Sequence, residues 1–142
     1  LSGEIDAAIG AGASDSPDIK PLFLDPDGAD ADWHNSTGLY PISHMLVARN
    51  EHLESKPWLA GELFSLFQAA KKPYLEHLHS SGDKTPADQA LLKMADIVGD
   101  DPIPFGLESS RKTILTFIQF NVDQKVIPEA VDVDDIFASV AN

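Results

Sequence analysis

Pro41-Ile42-Ser43-His44-Met45-Leu46-Val47-Ala48-Arg49 is the stretch on which the choice of fold turns. Its apolar residues do not alternate with polar ones, and they crowd into four consecutive positions from Met45 to Ala48. A run of that length and composition fits a strand buried on both faces, as in a parallel or mixed α/β sheet. Two weaker strand patterns lie upstream. Residues 4–10 place Ile5, Ala7 and Ile9 on one side, and residues 20–24 form a second short run that Pro21 keeps at a sheet edge or strand start. The Gly/Ala/Ser tract over 10–16 suits a crossing between elements.

Downstream of residue 49 the apolar residues recur at spacings of three or four. Ser55-Lys56-Pro57 opens a long helix with Leu59, Leu63, Leu66, Phe67, Ala70, Tyr74 and Leu78 on one stripe, and Pro73 should kink or split it. Thr85-Pro86-Ala87-Asp88 carries a capping Thr, a first-turn proline and an acid three residues on, so a helix starts there and stops at Gly99. A rigid loop over 101–106 follows. Another helix is expected over 109–125 with Ile114, Leu115, Ile118 and Val122 inward, and a short last one after Asp132 with Ile136 and Phe137 as anchors. A further helix precedes the central strand, begun by Asp25-Pro26 and ended by Gly38. The expected class is therefore α/β, with few strands and several helices. Two or three strands are too little sheet to stand alone, so a partner lobe is expected to cover them. Leu1 in place of an initiator methionine, and a strand pattern already under way at residue 4, give the same expectation of a segment of a larger protein.

Composition excludes several classes of function. The chain has 142 residues, with Lys+Arg 10 against Asp+Glu 23, a formal charge of −13. A nucleic-acid binder needs a basic face to neutralise phosphates, and an anionic membrane surface would repel this chain. Charge or proline interrupts every apolar run before the roughly 20 residues of a membrane span, so no membrane insertion is expected. The absence of cysteine removes disulfides, thiolate zinc sites and a cysteine nucleophile. No Gly-rich phosphate loop, G-x-S-x-G elbow or H-E-x-x-H helix is present.

The candidates for chemistry are few. His77 and His79 lie two apart on a helix and point about 200° away from each other, so they do not share a metal; no metal site is expected. His34 and His52 fall in polar stretches and read as surface histidines. His44 lies inside the apolar run, where a titratable ring is either a core group bonded to a carbonyl or a proton donor at the mouth of a cleft. Arg111 is one of two arginines and falls in the first turn of a helix after a Pro- and Gly-containing loop. It is either a carboxylate site helped by free backbone N–H groups or a surface ion pair, for instance with Glu108.

Four blocks then line up in order. Gly3-Glu4-Ile5-Asp6-Ala7, Thr37-Gly38-Leu39-Tyr40-Pro41-Ile42-Ser43-His44, Pro57-Trp58-Leu59-Ala60 and Asp101-Pro102-Ile103-Pro104-Phe105-Gly106-Leu107-Glu108 resemble the 4,5-dihydroxyphthalate decarboxylase family. That resemblance implies a type II periplasmic-binding-protein-like fold of two α/β lobes with the ligand between them. This chain would be its C-terminal segment: residues 1–40 the end of the second lobe and the return crossing, residues 41–142 a strand and the C-terminal helices packing on the first lobe, with the N-terminal lobe as partner. It implies a cofactor-independent carboxy-lyase acting on a small aromatic or organic anion. His44 would be the catalytic acid, and Arg111, Tyr40, Phe105 and Gly106 the substrate contacts. The family's Tyr-Gly and Ala-Asn-Arg are here Phe105-Gly106 and Ser109-Ser110-Arg111, which removes a phenol and an amide. The alternative is a solute-binding protein of an ABC-type transporter with the same fold, in which the same residues only hold an anion. The enzyme would be cytoplasmic and the binding protein periplasmic.

Overall fold

A computed structural model describes residues 4–10, 15–80 and 82–140. Among them lie six helices: α1 (Pro26–Thr37), α2 (Asn50–Ser55), α3 (Leu59–Leu78), α4 (Pro86–Val98), α5 (Leu107–Asp123) and α6 (Val133–Ile136). Their ends are where local chemistry puts them. The Asp25 carboxylate accepts the Gly28 N–H at 3.0 Å, Pro26 occupies the first turn, and Gly38 closes α1 in a left-handed conformation. At α4 the capping box is complete, with the Asp88 N–H donating to Thr85 Oγ1 at 3.2 Å and the Thr85 N–H to Asp88 Oδ2 at 2.8 Å.

Three helix boundaries differ from expectation. Residues 50–55 form a separate short helix, α3 begins at Leu59, and α5 runs from Leu107 to Asp123. Pro73 does not divide α3, which continues to Leu78. An interior proline costs about 3 kcal/mol or more. The turn beyond it is held by the fully buried Leu78 and by Tyr74, whose hydroxyl reaches into α4.

The strand expectations are corrected. No β-strand is present among the described residues, and 4–10, 20–24 and 41–49 all lack backbone pairing. The run at 41–49 is non-helical, as expected, but it is not buried: Met45, Leu46 and Val47 are 53%, 66% and 86% exposed. A strand gains its stability from a ladder and a covering layer, and the described residues supply neither. The α/β expectation is thus met here only in its helical part.

The core is correspondingly small. Ile114 and Ile118 of α5 close over Val133 of α6, with Ile42, Leu107, Ile127 and Phe137 packed around them. Ile42 is the one residue of the 41–49 run that reaches this cluster. Val133 and Phe137 anchor α6, whereas Ile136 is 56% exposed. The accessible surface is 11459 Å², against about 7,100 Å² expected for a compact monomer of this mass. Large apolar side chains stand in water, Leu22, Leu24 and Val47 among them. Among the described residues, no helix is long and apolar enough to cross a membrane.

Candidate functional site

The loop over 101–106 is tied to its surroundings from three sides. Lys71 of α3 extends beneath it with only 8% of its side chain exposed, donating to Asp101 Oδ2 at 2.6 Å and to the Ile103 carbonyl at 3.2 Å. The same ammonium lies 4.6 Å from the centre of the Phe105 ring, which meets Phe67 edge-on at 6.5 Å. A cation so sheltered needs these partners, and the carboxylate, carbonyl and ring face together replace its water. From the opposite side, the Tyr40 hydroxyl donates to the Pro102 carbonyl at 2.6 Å and lies 3.5 Å from Met94 Sδ. His79 Nε2 donates to the Asp100 carbonyl at 2.8 Å and closes the third side. Burial, then the nearby Asp101 charge, push the Tyr40 phenol above its ordinary pKa, so it stays a donor at neutral pH.

The segment leading into Tyr40 is fastened to α5. The Tyr40 N–H donates to Thr113 Oγ1 at 3.2 Å, and Lys112 Nζ donates to the Thr37 carbonyl. Tyr40, Phe105 and Gly106 therefore share one neighbourhood, the knot between α3, α5 and the 101–106 loop. Phe105 is 37% exposed, and Gly106 stands at the N-terminus of α5 with φ 101°.

Arg111 lies one turn further along α5. Its guanidinium takes the Asp134 carboxylate in a bidentate grip at 3.1 and 2.8 Å, and holds Glu108 Oε1 at 3.1 and 2.7 Å. Hydrogen bonds to Asp134 and then Glu108 raise its pKa further, and the same contact lowers that of Asp134. In this conformation its charge is matched by α6 and by its own first turn. His44 is exposed, four residues beyond Tyr40, with no hydrogen bond or ion pair among the described residues. It is not a core histidine. Among the described residues no hydrogen bond or ion pair joins it to Arg111, and neither residue lines the cleft around Trp33 and His34 or the one around Ile114 and Phe117.

Two features escaped the sequence-based reading. Lys71 lies four residues after Phe67 and three before Tyr74, so helical spacing places it on the apolar stripe of α3, where an ammonium is not expected. The second is a cleft of about 750 Å³ between α1 and α4, lined among others by Trp33, His34, Tyr40, Met94 and Asp96. His34 is half-buried there, with Nδ1 donating to the Leu39 carbonyl at 2.9 Å, which corrects its assignment as a plain surface histidine. Among the described residues no group of His, Asp or Glu is arranged to hold a metal ion.

No family model matches the chain. It is similar to a protein of Comamonas testosteroni described as 4,5-dihydroxyphthalate decarboxylase, with 40% identity over 81 residues. The matched part is 54% of this chain and 24% of that relative, so the chain spans about a quarter of the relative's length. Identity at this level over 81 residues supports common descent of the matched segment.

Proposed function

We propose that the chain is the C-terminal part of a cofactor-independent aromatic carboxylate decarboxylase acting on a hydroxylated benzene dicarboxylate. The observation that carries this is the 40% identity over 81 residues to a protein described as 4,5-dihydroxyphthalate decarboxylase. The remainder of the two-lobed type II periplasmic-binding-protein-like fold would supply the sheet that the 41–49 run lacks and the other half of the ligand cleft.

The reaction makes definite demands. A ring hydroxyl pushes electrons toward the carboxyl-bearing carbon, and an acid delivers a proton there. The C–C bond to the carboxylate then breaks, its electron pair returns to the ring, and CO2 leaves. The second carboxylate stays on the ring and needs a cation to hold it. His44 is assigned as the acid: it is exposed, unpaired among the described residues, and of a residue type that exchanges protons near neutrality. Arg111 is assigned to the retained carboxylate. Its bidentate edge already holds one carboxylate, that of Asp134, and substrate would compete for that edge. Tyr40, Phe105 and Gly106 would form the wall between them, the Tyr40 phenol offering a polar contact and Phe105 a ring face.

The test is CO2 release from 4,5-dihydroxyphthalate by the full-length protein. His44→Ala should lower turnover by roughly 10²-fold or more, with a smaller effect on binding, as removal of a general acid does. Arg111→Lys should act mainly through a raised KM, because a lysine ammonium cannot reproduce the bidentate edge. Arg111-dependent binding of a phthalate without any CO2 release would instead identify an anion-binding protein.

A further inference from the structure

The cleft between α1 and α4 has a chemistry unlike that required by a dicarboxylate. Asp27, Asp30 and Asp96 stand along it, and the single cation there, Lys93, is already paired with Asp27 at 3.6 Å. Asp30 and Asp96 have no hydrogen-bond or ion-pair partner among the described residues. Inside, Trp33 presents an aromatic ring that is 43% exposed. His34 has committed Nδ1–H to the Leu39 carbonyl, so the ring in its neutral form would offer Nε2 as an acceptor. Met94 adds a thioether, and the rest of the lining is mostly carbon. The unengaged polar groups on the side chains of Asp30, Asp96 and His34 are thus all acceptors, set beside an aromatic face. At about 750 Å³ the space is of the size that takes a small molecule.

From this we infer that the cleft binds a small organic ammonium ion with an aromatic or branched apolar body. The ammonium would lie against Trp33 and the unpaired carboxylates, and its body would lie along the apolar floor toward Leu39 and Tyr40. The inference does not rest on the decarboxylase proposal: Tyr40 borders both sites, but Trp33, His34, Asp30 and Asp96 take no part in that reaction, so either can fail while the other stands. The aromatic floor and the cavity carry it together with the charge. Carboxylates alone would attract any cation, whereas this lining favours one with an apolar body.

The experiment compares three ligands of similar shape and different charge: phenethylamine, 2-phenylethanol and 3-phenylpropionate. Binding is read by calorimetry in the full-length protein, with Trp33→Phe identifying the part of any emission change that arises in this cleft. Phenethylamine should bind about tenfold more tightly than the alcohol, and the carboxylate more weakly than either. Asp30→Asn with Asp96→Asn should erase the preference for the amine while leaving binding of the alcohol in place. Raising ionic strength should weaken the amine and spare the alcohol, a readout on the unaltered carboxylates that no folding defect can mimic. Equal affinities for all three ligands, an amine preference insensitive to both the substitutions and salt, or no binding of the amine would overturn the inference.

Discussion

Asp88 is the residue whose environment is most completely specified. It is 4% exposed, yet its two oxygens receive the Tyr74 hydroxyl at 2.7 Å, the Thr85 hydroxyl at 2.7 Å and the Thr85 N–H at 2.8 Å. The Tyr74 bond first, then the Thr85 side-chain and backbone bonds, hold its pKa at about 2, below the ordinary 3.8. His77 Nε2, 4.0 Å away, adds a smaller pull in the same direction. A carboxyl with a depressed folded pKa stabilises the fold above its unfolded pKa, and that contribution fades as pH falls through the folded one. The thermal midpoint should therefore drop as pH is lowered from about 4 toward about 2. Asp88→Asn should lower the midpoint at pH 7, because an amide has one acceptor oxygen for three donors and turns an N–H₂ toward them. The gap between wild type and variant should narrow as pH approaches 2. A gap that stays constant over this range would mean that Asp88 is not ionised in the fold. From sequence, Asp88 was legible as a helix cap; that Tyr74 would cross from α3 to meet it was not, because periodicity orders residues along one helix and leaves its partners unspecified.

At the scale of elements, the 101–106 loop is bounded by two glycines in the same unusual conformation. Gly99 and Gly106 both have φ 101°, with ψ −175° and 159°, a region that side-chain-bearing residues essentially do not occupy. The two differ in their surroundings. A Cβ on Gly106 would stand 3.3 Å from Phe64 Cζ, whereas one on Gly99 would meet nothing within 4 Å. Gly99→Ala should cost the backbone term, about 1–3 kcal/mol. Gly106→Ala should cost more in denaturant-unfolding measurements, since α3 and α5 must also part at Phe64. Equal costs would show that Phe64 yields freely. Helix starts were readable because a cap is a local event: Asp25-Pro26, Thr85-Pro86 and Asp132 all stand where their side chains could reach N–H groups two or three residues ahead. The 41–49 run forms no strand among the described residues for the complementary reason. Whether an apolar run becomes a strand depends on a neighbour to pair with, and no neighbour is encoded within those nine residues.

For the whole molecule, surface area and charge pull in opposite directions. The accessible surface of 11459 Å² leaves Leu22, Leu24, Leu46, Val47 and Phe117, among others, largely in water. Exposed apolar residues in such number drive association. The charge of −13 opposes it, since every copy repels every other. The balance is set by salt. The screening length shrinks from about 30 Å at 0.01 M to about 8 Å at 0.15 M, so repulsion fades while apolar attraction does not. The 142-residue chain by itself should bind a hydrophobic dye, melt over a broad range and shift to larger species in light scattering as salt rises. Within the full-length protein, where the proposed first lobe would cover the 41–49 run, the same dye signal should fall and melting should sharpen. Trp58, 63% exposed at the head of α3, and Met45 are useful local reporters, because covering the chain should slow oxidation of the methionine and blue-shift the tryptophan. If the isolated chain is instead silent to the dye, monomeric in 0.15 M salt and cooperative on heating, it closes its own apolar surface, and the requirement for a covering lobe disappears with it.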